Sequence, residues 1–237
     1  MTKLLFQPDS YLKEFKAKVI EINQQENSII LDQTAFYPGG GGQPNDIGQI
    51  QFETCLAQVT KVKIQSGKIL HWVVGEMPTV GTKITATIDW DRRYKLMRTH
   101  SALHVLCGLV WRDYSAQVTG GNMEPLKGRM DFEFENLKKE LMQEIEDKVN
   151  AEIGKGHEIR IKISPREEAF QIPDLIRTKI NLLPDHITEV RTVEIVGLDL
   201  QADGGTHVAN TNEIGHVRIV DYKSKGSINK RIYIELV

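Results

Sequence analysis

The periodicity of apolar residues changes at Asp89. Before it, over residues 11–90, short segments alternate apolar and polar residues between turn signals such as SGK and GEMP. Such segments are typical of half-buried strands, and their fairly even spacing predicts a small barrel or curled sheet. After it, residues 89–113 contain no proline and have an apolar stripe at helical spacing, which predicts a long helix. We therefore expect a β-barrel-like domain over residues 1–90 and a second domain over residues 91–237.

The remaining segments of the second domain mix helices and strands without strict alternation. Apolar residues recur every four positions from Asn136 to Gly154, which predicts a second helix. The segments HEIRIKIS and TVEIVGLDL are predicted strands, and SPREEAF a short helix. Two further strands close the chain, joined by a turn that contains glycine. This order favours an α+β domain with a mixed or antiparallel sheet and helices.

Composition excludes several classes of protein. The 237 residues carry a formal net charge of −2, so broad non-specific binding of nucleic acid is not expected. The two cysteines make no disulfide framework, which fits a reducing compartment. No stretch approaches the roughly 20 apolar residues that span a bilayer, and no secretory signal is recognised. We expect a cytoplasmic protein without a membrane partner, and the sequence does not indicate its oligomeric state.

Three histidines suggest a metal site. His100 and His104 stand four residues apart, which places both rings on one face of the predicted helix. His207 follows two glycines, and Asp203 precedes it by four residues. Three nitrogens with one oxygen or a water form a plausible tetrahedral zinc shell. Gly204 and Gly205 are expected to adopt backbone conformations closed to other residues and so to bring the turn close to a ligand. The alternative is a tight turn between strands that carries a surface histidine.

Three motifs together resemble one known family. HSALHVL and DGGTHV are similar to the editing domain of alanyl-tRNA synthetase and of its free-standing relatives, the AlaX proteins, and TAFYPGGGGQPNDIG resembles the glycine-rich motif of the same family. The resemblance, to the medium-length type, implies a trans-editing deacylase with one Zn²⁺ per chain. Its expected partner is the tRNA(Ala) acceptor end carrying a wrong amino acid. Ser-tRNA(Ala) is the expected substrate, and Gly-tRNA(Ala) a further one. The alternatives are a related metal hydrolase acting on a different aminoacyl-tRNA and a non-catalytic RNA-binding homologue.

One position departs from the family pattern. The family commonly has a cysteine ligand where this chain has Asp203, and a carboxylate is a harder ligand than a thiolate. Asp203 could bind the metal in place of sulfur, act as a base on a metal-bound water, or mark a site where zinc is weakly held or lost. Asp199 and Gln201 are the nearby polar residues if Asp203 points away.

The resemblance also implies residues that read the amino acid and support the reaction. Thr34 and Gln43 are expected to bind the serine hydroxyl, whose loss in alanine leaves their polar groups unpaired. Thr34 could equally be a strand residue and Gln43 a solvated turn residue. Backbone N–H groups of Gly204, Gly205 and Thr206 are expected to support a developing oxyanion. The run Gly39–Gly42 lacks the Lys-Ser/Thr of a phosphate loop and favours a wide turn.

Basic residues near the pocket mouth are expected to contact RNA, although such clusters are often only solvated faces. The residues concerned are Arg92, Arg93, Lys95, Arg98, Lys127, Arg129, Lys223, Lys225, Lys230 and Arg231.

Overall fold

A computed structural model of the chain describes residues 2–134, 138–176 and 187–237. The chain forms two compact units, and the division falls between Lys95 and Leu96. The first unit contains eight strands among its described residues. They are β1 (Lys3–Leu4), β2 (Glu14–Asn23), β3 (Ser28–Leu31), β4 (Gln33–Thr34), β5 (Gly48–Phe52), β6 (Cys55–Gln65), β7 (Lys68–Val74) and β8 (Lys83–Ile88).

Six of these strands close into a barrel in the order β2-β3-β7-β6-β5-β8, with antiparallel neighbours throughout. Alternation gives the barrel its core, because Phe15, Ala17 and Val19 of β2 point inward while the residues between them are exposed. Bulges at Val19/Glu21 and Val59/Lys61 bend β2 and β6. The predicted small β-barrel is therefore confirmed.

A long helix, α1 (Trp90–Tyr114), follows the barrel strands as predicted. Asp89 caps it, since the side chain accepts a hydrogen bond from the Arg92 backbone N–H at 3.1 Å. From Thr99 to Val110 every residue is buried. A helix buried on all sides belongs to a protein interior, so polar side chains on this stretch need partners inside the protein.

The described part of the second unit completes an α+β fold, with antiparallel pairing in its two sheets. Its elements after α1 are β9 (Val118–Glu124), β10 (Lys127–Glu133), α2 (Lys139–Gly154), β11 (Ile159–Pro165), α3 (Arg166–Ala169), β12 (Glu189–Ile195), β13 (Asp199–Ala202), a 3-10 turn (Thr211–Ile214), β14 (Val217–Ser224) and β15 (Asn229–Leu236). One sheet has the order β14-β15-β10-β9 and the other β11-β12-β13. The predicted start of α2 at Asn136 lies outside the described residues.

The segment TVEIVGLDL is not one strand, as its apolar composition predicts, but a hairpin. Gly197 has a φ of +80° and turns the chain back, and the Leu198 N–H donates to the Ile195 carbonyl at 2.9 Å. Ile195 then pairs with Asp199 across the hairpin. The glycine supplies a left-handed conformation that other residues disfavour. The strand after this turn, β13, ends directly before Asp203.

Among the residues that the structure describes, no helix is both long enough and apolar enough to cross a membrane.

Candidate metal centre

Helix α1 supplies two of the predicted ligands. His100 and His104 are one helical turn apart, both are buried, and their ring centroids are 5.0 Å apart. Burial of two imidazoles on one helix face is costly unless their nitrogens find partners. Helix α1 therefore places two possible metal-binding nitrogens close together in the interior.

The loop after β13 supplies the other two. Asp203 is held by its backbone, because its N–H donates to the Arg191 carbonyl at 3.1 Å and its carbonyl accepts from Arg191 Nη1 at 2.9 Å. The carboxylate accepts from the Gly205 N–H at 2.7 Å. Neither Gly204 nor Gly205 adopts a positive φ, so the special backbone conformation predicted for this turn is wrong. The turn is shaped by hydrogen bonds to Asp203 instead.

The four predicted ligands converge. One donor atom from each of His100, His104, Asp203 and His207 lies within 4.8 Å of all the others. His207 Nε2 is 3.0 Å from Asp203 Oδ2, and His100 Nε2 is 3.6 Å from Asp203 Oδ1. The rings of His100 and His207 stack with centroids 4.1 Å apart. Asp203 therefore points into the cluster, and Asp199 and Gln201 are not needed in its place.

The electrostatics of the cluster favour the protonation states that bind a cation. Burial lowers the pKa of His100 to about 4, although Asp203 opposes this. Burial and then the charge of His100 hold the pKa of His207 well below its ordinary value. Burial alone would raise the pKa of Asp203, but His100 and His207 hold it well below its ordinary value. Neutral imidazole and ionised carboxylate are the forms that metals require.

His104 behaves differently. Burial alone would lower its pKa, but Asp199 and then Asp203 outweigh burial and raise it. The Asp199 carboxylate lies on the side of the His104 ring that carries Nδ1, with Nδ1 and Oδ2 3.4 Å apart. His104 is thus flanked by two carboxylates.

The donor set fits a divalent metal ion. Three imidazoles and one carboxylate are a ligand combination that suits zinc, and a harder ligand also admits other first-row ions. The cluster is almost fully buried, with only Asp203 partly exposed. Neutral ring nitrogens and an ionised carboxylate all offer lone pairs toward one point, and a bound cation would accept them.

The roles predicted for Gly205 and Thr206 remain predictions. The Gly205 N–H already donates to the Asp203 carboxylate, which would compete with any oxyanion for that donor. Thr206 is buried in the same loop.

Thr34 and Gln43 belong to the first unit, and both are buried. The Thr34 hydroxyl lies 2.9 Å from His71 Nε2 and accepts from the Phe36 N–H at 3.1 Å. Gln43 exchanges backbone hydrogen bonds with Gly40 at 2.9 and 3.0 Å. All four residues of Gly39–Gly42 have positive φ, so the glycine run is required by a turn. Whether Thr34 and Gln43 read a substrate stays a prediction.

Sequence reasoning missed the role of Arg93. Predicted to contact RNA, it is fully buried and forms an ion pair with Asp46, so that prediction is wrong. Arg93 also donates to the carbonyls of Ser10 and Ala35 at 3.0 and 2.6 Å. Lys230 is buried too, and its ammonium donates to Ser224, Gly226 and Ser227 in the hairpin turn.

Most other basic residues predicted to contact RNA form ion pairs. These pairs are Lys95–Asp91, Lys127–Glu235, Arg129–Asp131, Lys223–Asp221 and Arg231–Asp131. The lysines among them are exposed, and exposed pairs contribute little energy. Such lysines are therefore not prevented from exchanging a carboxylate for a phosphate.

Two family profiles match the chain. Residues 9–92 match the family described as tRNA synthetases class II (A). Residues 190–233 match the threonyl and alanyl tRNA synthetase second additional domain. The second match contains Asp203 and His207.

Full-length relatives extend the match to the whole chain. The alanyl-tRNA editing protein AlaX-M of Saccharolobus solfataricus is 43% identical, with 98% of each chain covered. The AlaX-M protein of Methanosarcina mazei is 37% identical over 100% of this chain and 97% of its own. The alanine–tRNA ligase of Pyrobaculum aerophilum is 37% identical over 92% of this chain, which corresponds to 25% of the ligase. The chain therefore belongs to the AlaX-M family of alanyl-tRNA editing proteins.

Proposed function

We propose that this protein is a trans-editing hydrolase that deacylates mischarged Ser-tRNA(Ala), with Gly-tRNA(Ala) as a further substrate. The reaction cleaves the ester between the amino acid and the 3′ adenosine, adds water, and releases free amino acid and tRNA. The observation that carries the proposal is the convergence of His100, His104, Asp203 and His207 within 4.8 Å. Membership of an editing family supports the choice of substrate class.

We propose Zn²⁺ as the ion, one per chain. When bound, it would supply Lewis acidity toward the ester carbonyl or toward an attacking water. His100, His104 and His207 would hold it as neutral nitrogen donors. Asp203, ionised and partly exposed, would serve either as the fourth donor or as the group that accepts a proton from the water.

Rejection of alanine requires a group that pairs with the serine hydroxyl. A polar site left unpaired by the smaller substrate discriminates strongly, whereas a purely apolar pocket does not. Thr34 and Gln43 are our proposed readers of the amino acid, on the strength of the glycine-rich motif that contains them. The Thr34 hydroxyl lies 2.9 Å from Nε2 of His71, which is itself fully buried.

The tRNA partner is expected to bind through phosphates and its single-stranded 3′ end. Phosphate contacts would make binding weaken as salt is raised, and unpaired 3′ nucleotides are read by stacking and by their base edges. Exposed lysines such as Lys95, Lys127 and Lys223 are the proposed contacts.

The test is deacylation of Ser-, Gly- and Ala-tRNA(Ala) by the zinc-loaded protein and by His104→Ala, with His216→Ala as a matched control, because His216 is exposed. We expect hydrolysis of the serine ester, survival of the alanine ester, and loss of activity only in His104→Ala. Unchanged activity in His104→Ala would exclude the metal-centred mechanism. Binding of tRNA without hydrolysis would favour the non-catalytic alternative, and hydrolysis of another ester a different substrate.

Thr34→Val tests the reading of serine. The substitution keeps the shape of the side chain and removes the hydroxyl. We therefore expect the rate of deacylation, relative to the wild type, to fall more for Ser-tRNA(Ala) than for Gly-tRNA(Ala), with unchanged zinc content. An equal effect on both substrates would show that Thr34 does not read the serine side chain.

A further inference from the structure

Behind the ring of His207 lies a buried hydroxyl. Ser101 Oγ is 3.1 Å from His207 Nδ1, and it accepts a hydrogen bond from the Val208 N–H at 3.2 Å. Ser101 is fully buried and follows His100 directly on α1. The opposite ring nitrogen, Nε2, faces Asp203. Ser101 thus contacts His207 on the side away from the proposed metal.

A hydroxyl suits this position because it can donate or accept. With Nε2 bearing the ring proton and donating to Asp203, the Ser101 hydroxyl donates to Nδ1. With a cation at Nε2, the ring proton must be at Nδ1, and the Ser101 oxygen accepts it. Rotation of the Ser101 hydroxyl switches it between donor and acceptor. The His207 ring therefore need not flip when a metal binds.

Behind the ring of His104 lies a buried carboxylate. His104 Nδ1 is 3.4 Å from Asp199 Oδ2, and within the described part of the chain Nδ1 has no partner at hydrogen-bond geometry. The same oxygen accepts from Gln201 Nε2 at 2.6 Å, and Gln201 Nε2 lies 3.3 Å from Cys107 Sγ. The Gln201 amide therefore holds the Asp199 carboxylate in place. A small movement of the His104 ring would shorten the contact between Nδ1 and Oδ2 to a hydrogen bond.

The approach of Asp199 depends on Gly108. A Cβ atom at residue 108 would lie 2.7 Å from the Asp199 Cβ, closer than real Cβ contacts. Only glycine at this point of α1 lets the hairpin strand β13 come so near the helix. Helix α1 thus contains a glycine, which weakens a helix, at the point where Asp199 reaches His104.

We propose that Ser101 and Asp199 are positioning residues for the metal centre, which accept hydrogen bonds from the Nδ1–H groups of His207 and His104 and so leave both Nε2 atoms for the metal. Histidines that bind metals generally donate their other ring N–H to such an acceptor, and this contact fixes the tautomer and strengthens the ligand. The inference rests on the proposed metal site and concerns residues outside the four ligands.

Zinc affinity is the first readout, measured by competition with a chromogenic chelator. We expect Asp199→Ala and Ser101→Ala to bind zinc about 10- to 100-fold more weakly than the wild type. Asp199→Asn keeps the shape and one acceptor oxygen, so its loss should be smaller. Asp221→Asn is the matched control, since Asp221 is exposed and pairs with Lys223, and it should bind zinc as the wild type does.

The second readout is the ring tautomer, from long-range ¹H–¹⁵N correlation spectra of zinc-loaded protein labelled on histidine. His104 and His207 should carry their protons at Nδ1, a signature that a general loss of packing would not produce. Protons at Nε2, or unchanged affinity in both Asp199→Ala and Ser101→Ala, would overturn the inference alone. Failure of the wild type to bind zinc would overturn the proposed function as well.

Discussion

Each unit buries a group of ionisable side chains, and the two groups are balanced differently. In the barrel unit, the Arg93 guanidinium and the Asp46 carboxylate neutralise each other, and the Tyr37 N–H donates to Asp46 at 2.6 Å. In the second unit, three imidazoles surround the Asp203 carboxylate, His104 also faces Asp199, and the rings of His100 and His207 stack. A group that is balanced within the chain has a structural role. A group whose metal-binding atoms converge on one point indicates that the protein binds an ion there.

The largest expected effect on stability comes from removing one partner of the buried Arg93–Asp46 pair. Arg93→Ala leaves the Asp46 carboxylate buried without its partner, which typically costs about 3–5 kcal/mol. Chemical denaturation would measure the loss. Lys95→Ala is the control, because the exposed Lys95–Asp91 pair should contribute about 1 kcal/mol or less. Equal losses in the two variants would contradict a structural role for Arg93.

Zinc should stabilise the cluster of His100, His104, Asp203 and His207. A ligand at about 1,000 times its Kd stabilises the folded state by about 4 kcal/mol, so saturating zinc should raise the midpoint of unfolding and a chelator should reverse the rise. His207→Ala should abolish this response. In the control His216→Ala, an exposed histidine, the response should persist. A zinc response that survives His207→Ala would place the ion elsewhere.

The barrel unit also contains a buried imidazole, His71. Burial lowers its pKa to about 4 from an ordinary 6.5, so the unfolded chain binds a proton at a higher pH than the folded one. The contribution of neutral His71 is therefore complete above pH 6.5 and is lost as the pH falls toward 4, about 3 kcal/mol in all. In zinc-free protein, His71→Gln should show a shallower loss of stability over this range. An unchanged pH profile would contradict the assignment, and His216→Gln is the control.

The smallest effect tests the close contact at Gly108. Gly108→Ala should destabilise the protein by about 1–3 kcal/mol, because the added methyl group meets Asp199. Gly154→Ala is the matched control, since a Cβ there meets nothing within 4 Å and alanine favours a helix. Thermal unfolding of both variants would separate the two outcomes. Equal midpoints would show that β13 moves away from α1 without cost.

Local patterns in the sequence were sufficient to predict much of this structure. The alternation in strands such as β2 predicted the barrel, and the spacing of His100 and His104 predicted two rings on one helix face. The resemblance of DGGTHV to the second motif of the family predicted that Asp203 and His207 join them. In each case the relevant residues are neighbours in sequence or belong to a short motif.

Long-range pairing was not predictable in this way. Arg93 and Asp46 are 47 residues apart, and nothing near Arg93 distinguishes it from its neighbour Arg92. Asp199 reaches His104 only because Gly197 turns the chain and Gly108 makes room, two conditions that no single motif encodes. The same limit made TVEIVGLDL look like one strand.

The three imidazoles and Asp203 are proposed to hold one zinc ion. The most direct test of this proposal is the zinc content of the protein by mass spectrometry, after incubation with excess zinc and removal of unbound metal, for the wild type and for His207→Ala. We expect one ion per chain in the wild type and almost none in the variant. Equal zinc content in the two proteins, or no zinc in the wild type, would contradict the account.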